Sequence, residues 1–482
     1  MAAVVQIVDG HAGSLVLELN DTLAGVGGLV KRGMNLTEGQ LSGNGPEVGW
    51  SPLAGPSGLG RRRITLPFVL IGTSADNVGA KVAKLMLATQ GPWWLRIRRH
   101  EASADSWLRC FGTVPFVESQ ITTSSTAHIV QGTISCETDP YALGARVDGS
   151  AAIGQDPANA AGWGININNV PGDSATPLLL RMNDPAAFAL GGLGAFISVR
   201  RRQDPSALVG PALTHQIAPP ATIGGTPGVS MTPISGDSAF SGGNGCRVSF
   251  SSPYVPLTKL ALSFTGPSLS GPNAPGVYRV FVRIRRNTVA LAEQLVLRPF
   301  VNRALITPED ITVPAGGAAT RMVDLGLVQW PAAGPASIQA PVPNPSGATT
   351  TRIYLEFWRK ITTTPTCIVD FDFMCWIPAD EDSGFLTLDN NLVDPDTQYV
   401  VVDGYQQLAM ITSGDPLAPH NILGQPYTSG GPTVDWTGRV PRVRPGTNRL
   451  FVVAGTGGLD TYPLALNLDV AYSYWPRFTW LR

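Results

Sequence analysis

The feature that most constrains this chain is a strict alternation of apolar and polar residues in several short segments. In residues 464–474 every second position is leucine, valine or tyrosine, and alanine, asparagine, aspartate or serine stands between them. Residues 277–285, 352–360 and 368–376 alternate in a similar way. A period of two places successive side chains on opposite faces of a strand, and charges on one face are typical of an antiparallel sheet buried on the other. The pattern predicts a mainly β fold of several antiparallel β-sandwich or jelly-roll domains.

One segment near the N-terminus departs from this period. Residues 74–90 predict a single amphipathic helix, which Ser74 or Asp76 can cap at its start. Its polar side, with Lys81 and Lys84, is expected to face solvent. The positions that form its apolar stripe at helical spacing are Val78, Val82, Leu85 and Met86.

Composition narrows the classes of protein that the chain can belong to. Its 482 residues favour two to four domains, and 54 glycines with 41 prolines fit many strands joined by turns. A net charge of −1 argues against a broad field for nucleic acid or anionic membrane. Five cysteines without a CxxC motif predict buried thiols rather than disulfides or a zinc site. The N-terminus lacks signal-peptide features, and no window approaches a membrane span, so synthesis in a cytoplasm is expected.

Catalytic signatures are missing from the sequence. The five histidines lie far apart, and there is no HExxH, GxSxG or P-loop motif, so we expect no enzyme activity and no catalytic residue, although a triad built from distant residues stays open. Asp370 and Asp372, with the acidic turn at 380–382, allow three interpretations: a solvated sheet face, a calcium site or a pair of glycosidase acids. The solvated face is preferred, so no cofactor or metal is expected beyond that calcium alternative. The arginine triplets at 61–63 and 200–202 could contact DNA phosphate, but strand-end charges or partners for acids on a neighbouring subunit are preferred.

Two strands carry the candidate glycan-binding residues. Tyr354 and Trp358 share the polar face of one strand, and Arg279, Phe281 and Arg283 share a face of another. If these strands are neighbours, they form an aromatic platform edged with arginine, a surface on which sugars stack and hydrogen-bond. The alternative is that this face packs against another subunit or domain.

The order of these parts resembles a known family, the distal tail proteins of siphophages. The resemblance spans nearly the whole chain and rests on the order of its parts. The belt-like N-terminal part is matched by Ile64–Phe68, the helix at 74–90, Leu95–Arg99, Trp107 and Asp139-Pro140-Tyr141. A following galectin-like domain is matched by Pro177–Arg200 at its start, and by Arg444–Leu450 and Trp475–Phe478 at its end.

The resemblance implies three domains. Residues 1–145 would form a belt-like ring-forming domain, and 146–215 plus 381–482 a discontinuous galectin-like sandwich. Residues 216–380 would form an inserted jelly roll similar to a carbohydrate-binding module. Within the second domain, residues 146–170 are rich in alanine, glycine and asparagine and are expected to be a linker.

The resemblance also implies a function. The protein would be a structural component of the phage tail tip, made in the host cytoplasm and carried in the virion. Six copies would form a ring between the tail tube protein and the tail hub protein, and the tape-measure protein and DNA would pass through its lumen. The inserted domain would be a candidate for contact with host cell-surface glycan. The alternatives are a non-catalytic carbohydrate-binding protein without a ring role and a β-rich hydrolase.

Overall fold

The computed structural model confirms a mainly β protein with antiparallel sheets and a helix near the N-terminus. Every pairing between described strands is antiparallel. The structure describes residues 4–19, 62–98, 104–124, 127–154, 164–183, 193–202, 212–214, 229–237, 240, 244–250, 262–265, 277–286, 295–301, 304–305, 311–313, 320–329, 352–359, 367–378, 385–389, 398–413, 430–433, 435–456 and 467–479.

The N-terminal part forms one sheet, which we call the first sheet, and the helix. The elements are β1 Val4–Val8, β2 Leu15–Glu18, β3 Arg62–Gly72, α1 Ala75–Ala88, β4 Trp93–Arg98, β5 Ser106–Ser124, β6 Ala127–Thr138 and β7 Ala142–Leu143. The strand order is β2-β1-β4-β5-β6-β3, with β7 paired to β5. β2 and β3 are therefore the end strands of this order.

The next strands begin inside the expected linker. They are β8 Val147–Gly154, β9 Gly164–Val170, β10 Thr176–Pro177, β11 Leu179–Asn183 and β12 Leu193–Arg202. The linker prediction for 146–170 was wrong because β8 and β9 each pair with a strand from the C-terminal part of the chain. Partners that lie about 300 residues away cannot be read from local composition.

The middle of the chain forms two further sheets. Its strands are β13 Ala212–Thr214, β14 Val229–Ser235, β15 Asn244–Phe250, β16 Leu262–Thr265, β17 Val277–Arg286, β18 Leu295–Val301, β19 Ala304–Leu305, β20 Ile311–Val313, β21 Thr320–Gln329, β22 Arg352–Arg359 and β23 Cys367–Pro378. One sheet has the order β14-β15-β23-β17-β21, with β13 on β23. The other has the order β16-β22-β18-β19, with β20 on β18.

The C-terminal strands return to the earlier ones. They are β24 Phe385–Asp389, β25 Gln398–Asp403, β26 Leu408–Ser413, β27 Gly430–Thr433, β28 Asp435–Gly438, β29 Arg442–Val443, β30 Gly446–Thr456, β31 Asn467–Tyr474 and β32 Arg477–Phe478. The second sheet is β27-β26-β25-β11-β31-β8, and the third is β28-β24-β12-β30-β9. β29 pairs with β10, and β32 pairs with β7 of the first sheet.

Alternating side chains stack these layers. On β11, Leu180 and Met182 point into a core shared with the third sheet, whereas Leu179 points into a core shared with Trp94 and Trp107 of the first sheet. The opposite face of the first sheet forms a third core with α1. The layers therefore run from α1 through the first and second sheets to the third, with an apolar core in each gap.

The helix confirms most of its sequence prediction. Ser74 caps it, because its Oγ accepts a hydrogen bond from the Asn77 backbone N–H at 3.1 Å. Two expectations about its faces were wrong. Met86 is 40% exposed. Lys81 is buried, and its Nζ donates to the Ile71 carbonyl at 2.6 Å, so this lysine ties the helix to β3.

Candidate functional site

The predicted glycan platform requires β17 and β22 to be neighbours, and in the structure they belong to different sheets. β17 lies between β23 and β21, whereas β22 lies between β16 and β18. Phe281 is 1% exposed and Arg283 is 0% exposed. The joint, solvent-facing platform of the sequence analysis is therefore corrected: these two side chains lie inside the protein.

The reason for the error lies in the pairing of β17. Its register shifts at Val280/Phe281 against β21 and between Val282 and Ile284 against β23. All five residues from 280 to 284 are buried, so both faces of this strand are covered. A charge in an alternating strand indicates a solvated face only when that face is open to water, and here the charge is matched by an internal partner.

The remaining platform residues have different outcomes. Arg279 is partly buried and donates from Nε to Asp324 at 2.8 Å. Tyr354 and Trp358 lie on β22, and their side chains are outside the described part of the structure. Glycan binding through them stays a prediction.

The predicted solvated acids are in fact buried. Asp370 is 0% exposed and Asp372 is 2% exposed. Asp372 forms an ion pair with Arg283 in which both side chains are fully buried. The preferred interpretation of these two aspartates was therefore wrong, and they act as counter-charges inside the sheet.

Asp370 is the centre of a larger network. It accepts from Arg247 Nε at 2.8 Å and Nη2 at 3.1 Å, and from Arg285 Nη2 at 3.0 Å. Arg285 also binds Asp237 at 2.7 Å and stacks over the ring of Phe240 at 4.4 Å. Among the described residues no group of three metal-ligating side chains converges, and the acidic turn at 380–382 lies outside them.

A second polar centre lies where the first and second sheets meet. We call this contact, with Thr176, Tyr405 and Trp475, the joint. The Tyr405 hydroxyl accepts from the Trp475 backbone N–H at 2.8 Å and lies 3.0 Å from Thr176 Oγ1. Thr176 Oγ1 donates to the Trp475 carbonyl at 2.7 Å, so the Tyr405 hydroxyl must be the donor to Thr176. Burial raises the pKa of Tyr405 to about 12. This closed set of hydrogen bonds fixes the C-terminal segment against the joint.

His11 lies beside the same joint. Its ring is 4.6 Å from Trp107, 5.8 Å from Trp94 and 6.1 Å from Trp475, and its Nε2 lies 2.9 Å from the Gly144 carbonyl. A carbonyl only accepts, so Nε2 carries the proton. Burial lowers the pKa of His11 to about 4, with the backbone hydrogen bonds opposing this effect. The imidazole is therefore neutral near pH 7 and packs as an aromatic ring.

Arg477 is a deeply buried cation on β32. It is 1% exposed, and its guanidinium lies over the ring of Tyr141 at 5.0 Å. Nη1 donates to the Ala175 carbonyl at 3.4 Å, whereas Nε and Nη2 have no hydrogen-bond partner in the part of the chain that the structure describes. Burial lowers the pKa of Arg477.

Exposed apolar side chains gather around α1 and β2 of the first sheet. We call Leu15, Val16, Met86 and Leu87 the helix-side patch. Ile71 is also exposed, but it alternates with Leu70, which packs under α1, and so lies on the opposite face of the first sheet. Leu87 is 69% exposed and Leu15 is 55% exposed. Leu15 and Val16 lie on β2, which is an end strand of the first sheet. Apolar surface of this kind is typical of a contact with another protein chain.

Sequence reasoning missed the joint and the patch for different reasons. The aromatic cluster at the joint forms only when distant strands pair, and no local sequence motif predicts it. Its members are His11, Trp94, Trp107 and Trp475. Leu87 lies beside the predicted apolar stripe, so helical periodicity alone could have marked it as exposed. Within the described residues, α1 is too short to cross a membrane, and no other helix offers a spanning segment.

Comparisons with known proteins give no family. No family model matches the chain, and no curated protein matches it. Among solved structures, it is similar to a Paenibacillus xanthan lyase at 11% identity with a TM-score of 0.24, over 80% of this chain and 47% of the lyase chain. The chain thus spans about half the length of that lyase.

Two further similar structures come from infectious bursal disease virus. The structure of the Gt strain matches at 8% identity with a TM-score of 0.17, over 70% of this chain and 81% of that chain. The VP2 subviral particle matches at 8% identity with a TM-score of 0.19, over the same shares. These TM-scores are too low to support an inference, so the function must be argued from the chain's own residues.

Proposed function

We propose that this protein is a structural, ring-forming component of the tail tip of a long-tailed phage, where it joins the tail tube protein to the tail hub protein. The order of sequence parts that resembles distal tail proteins supports this proposal. The single observation that carries the assembly role is the helix-side patch. Six copies would form the ring, with the tape-measure protein and DNA in transit through the lumen.

The position of the patch suits a contact between copies of the chain. A sheet that ends in two different strands offers two different edges, and among the described strands β2 pairs only with β1 and β3 only with β6. Joining one edge to the other edge of the next copy is a head-to-tail contact, which makes a closed ring when the rotation between copies closes. Leu87 and Met86 would be covered in that contact, which removes apolar surface from water.

Replacing Leu87 with glutamate tests this assembly. Leu87 is 69% exposed, so the change should leave the fold of the single chain intact while it places a charge in the contact. We expect the wild-type protein to give rings in negative-stain images and an oligomer in native mass spectrometry, and Leu87→Glu to give monomers.

Asn77→Glu is the matched control, because it adds the same charge to the same helix about 15 Å away. It should still form rings. A wild-type protein that stays monomeric at high concentration would contradict the ring proposal and favour the alternative of a carbohydrate-binding protein without a ring role. Rings that persist in Leu87→Glu would remove the helix-side patch from the contact.

We further propose that the range 216–380 contacts host cell-surface glycan. The support is the pattern of β22, on which Tyr354 and Trp358 lie four positions apart and so share one face. Aromatic rings on one face offer a stacking surface for sugars.

Trp358→Ala tests glycan contact. We expect its retention on host envelope in a pull-down to fall about tenfold, since the loss of one stacked ring removes on the order of 1 kcal/mol or more of binding. Trp436→Ala removes an aromatic ring from β28 of the third sheet and should bind as the wild type does. Equal retention of all three proteins would argue against a glycan site on β22.

A further inference from the structure

One edge of the Arg477 guanidinium has the geometry of a binding group. Nε–H and Nη2–H lie on the same side of the planar group and point in parallel, and neither has a hydrogen-bond partner among the described residues. Nη1, on the other side, is the nitrogen that donates to Ala175. Deep burial with two parallel donors unmet is rare in folded proteins, because buried polar groups normally find partners.

The same edge binds a carboxylate elsewhere in this protein. Arg247 uses Nε and Nη2 on the two oxygens of Asp370, at 2.8 and 3.1 Å. Arg98 uses Nε and Nη2 on the two oxygens of Asp105, at 2.7 and 3.0 Å. The parallel Nε–H and Nη2–H groups form a fork that fits two oxygens of one oxyanion. Such paired, charge-assisted hydrogen bonds are among the strong forms of arginine recognition.

The surroundings of Arg477 carry excess positive charge. Arg442 lies opposite Pro177 in the β10–β29 ladder, next to the segment that Arg477 contacts at Ser174 and Ala175. Burial, together with the charges of Arg477 and Arg439, lowers the pKa of Arg442 to about 10. Asp139 is an acid whose charge reaches Arg477, so it balances one of these two guanidinium groups.

Arg442 also connects the site with the surface. It is only partly buried, and Arg439 beside it is exposed. Positive charge therefore continues from solvent towards the buried fork. An anion that enters along this line gains two charge-assisted hydrogen bonds from Arg477 and the attraction of Arg442.

We propose that Arg477 and Arg442 bind a small oxyanion, such as phosphate, sulfate or a carboxylate, at the joint between the first and second sheets. The bound anion would hold β32 and β29 together, and β32 is the strand that returns the C-terminus to β7. This site is separate from the ring contact and the glycan face, and it stands whether or not the proposed function is correct.

Thermal unfolding and titration calorimetry test the site with inorganic ions. Sodium phosphate, sulfate and acetate are compared with sodium chloride at equal ionic strength, so that the source of the oxyanion is distinguished from salt in general. We expect the Tm of the wild type to rise with the logarithm of oxyanion concentration, as ligand linkage requires. In Arg442→Gln the calorimetric Kd should weaken about tenfold or more.

Controls separate binding from general effects of salt. Sulfate and phosphate stabilise many proteins because they are excluded from surfaces, and such a rise would be the same in every variant. Arg181→Gln, which removes a cation that stacks on Tyr399 of the second sheet, should keep the full response. Arg442→Lys, which keeps the charge and the fold, should lose part of it. A Tm that is equal in phosphate and chloride, or an equal rise in Arg442→Gln, would overturn the proposal and assign the unmet donors to buried water.

Discussion

Replacement of Asp372 with asparagine is expected to lower the free energy of unfolding by about 3–5 kcal/mol. The change keeps the shape of the side chain and removes its charge, so the fully buried guanidinium of Arg283 loses the carboxylate that compensates it. In low dielectric the attraction between such partners is large, but it serves mainly to offset the cost of removing both ions from water. When Asp372 loses its charge, the cost of removing the Arg283 guanidinium from water is no longer offset. Urea unfolding of the wild type and Asp372→Asn measures the difference.

A matched control uses the same strand. Asp324→Asn removes the partner of Arg279 on β17, where both side chains keep contact with solvent, and it should cost less than about 1 kcal/mol. The double replacement Arg283→Met with Asp372→Leu exchanges the pair for apolar side chains and should recover much of the loss. Equal effects of Asp372→Asn and Asp324→Asn would contradict the role assigned to burial.

The secondary structure could be predicted where local pattern and final environment agree. On β31, Leu468, Val470 and Tyr474 pack against the third sheet, and their alternation with smaller or polar residues is visible in the sequence. The start of α1 follows from Ser74, whose cap depends on residues three positions away. In these places the period of the chain and the packing of the fold require the same residues.

Prediction failed where distant strands decide the environment. β17 reads as a strand with one polar face, but its neighbours β21 and β23 shift register and cover both faces, so Arg283 became an internal charge. The segment 147–154 reads as a linker because its residues are small, and it is a strand because β31 supplies a partner. Local composition contains neither piece of information.

The candidate sites show the same limit. Nε and Nη2 of Arg477 form a candidate site because they lack hydrogen-bond partners among the described residues. This can be judged only after the positions of Tyr141 and Ala175 are known. The helix-side patch depends on which side of α1 faces the first sheet, and Lys81 shows that hydrophobicity alone does not decide this. Its long apolar stem packs inward while its amine reaches the Ile71 carbonyl.

The joint between the first and second sheets is expected to weaken in acid because of His11. Burial holds the pKa of this imidazole at about 4, against an ordinary value of 6.5 in the unfolded chain. Between these two pH values the imidazole is protonated in the unfolded chain but not in the folded chain. The free energy of unfolding therefore falls as the pH falls. The contribution of neutral His11 is complete above pH 6.5 and is lost as the pH drops through 4. A pKa of about 4 in the folded chain against 6.5 in the unfolded chain corresponds to about 3 kcal/mol.

His11→Gln isolates this contribution from that of other titrating groups. The glutamine amide can still donate to the Gly144 carbonyl, and it does not titrate. Urea unfolding at pH 7.5, 5.5 and 4 should show the wild type losing about 3 kcal/mol more than the variant. Tryptophan emission should shift to the red over the same interval, because Trp94, Trp107 and Trp475 surround the ring and gain water as the joint opens. Parallel pH profiles of wild type and His11→Gln would show that protonation of His11 does not control the joint.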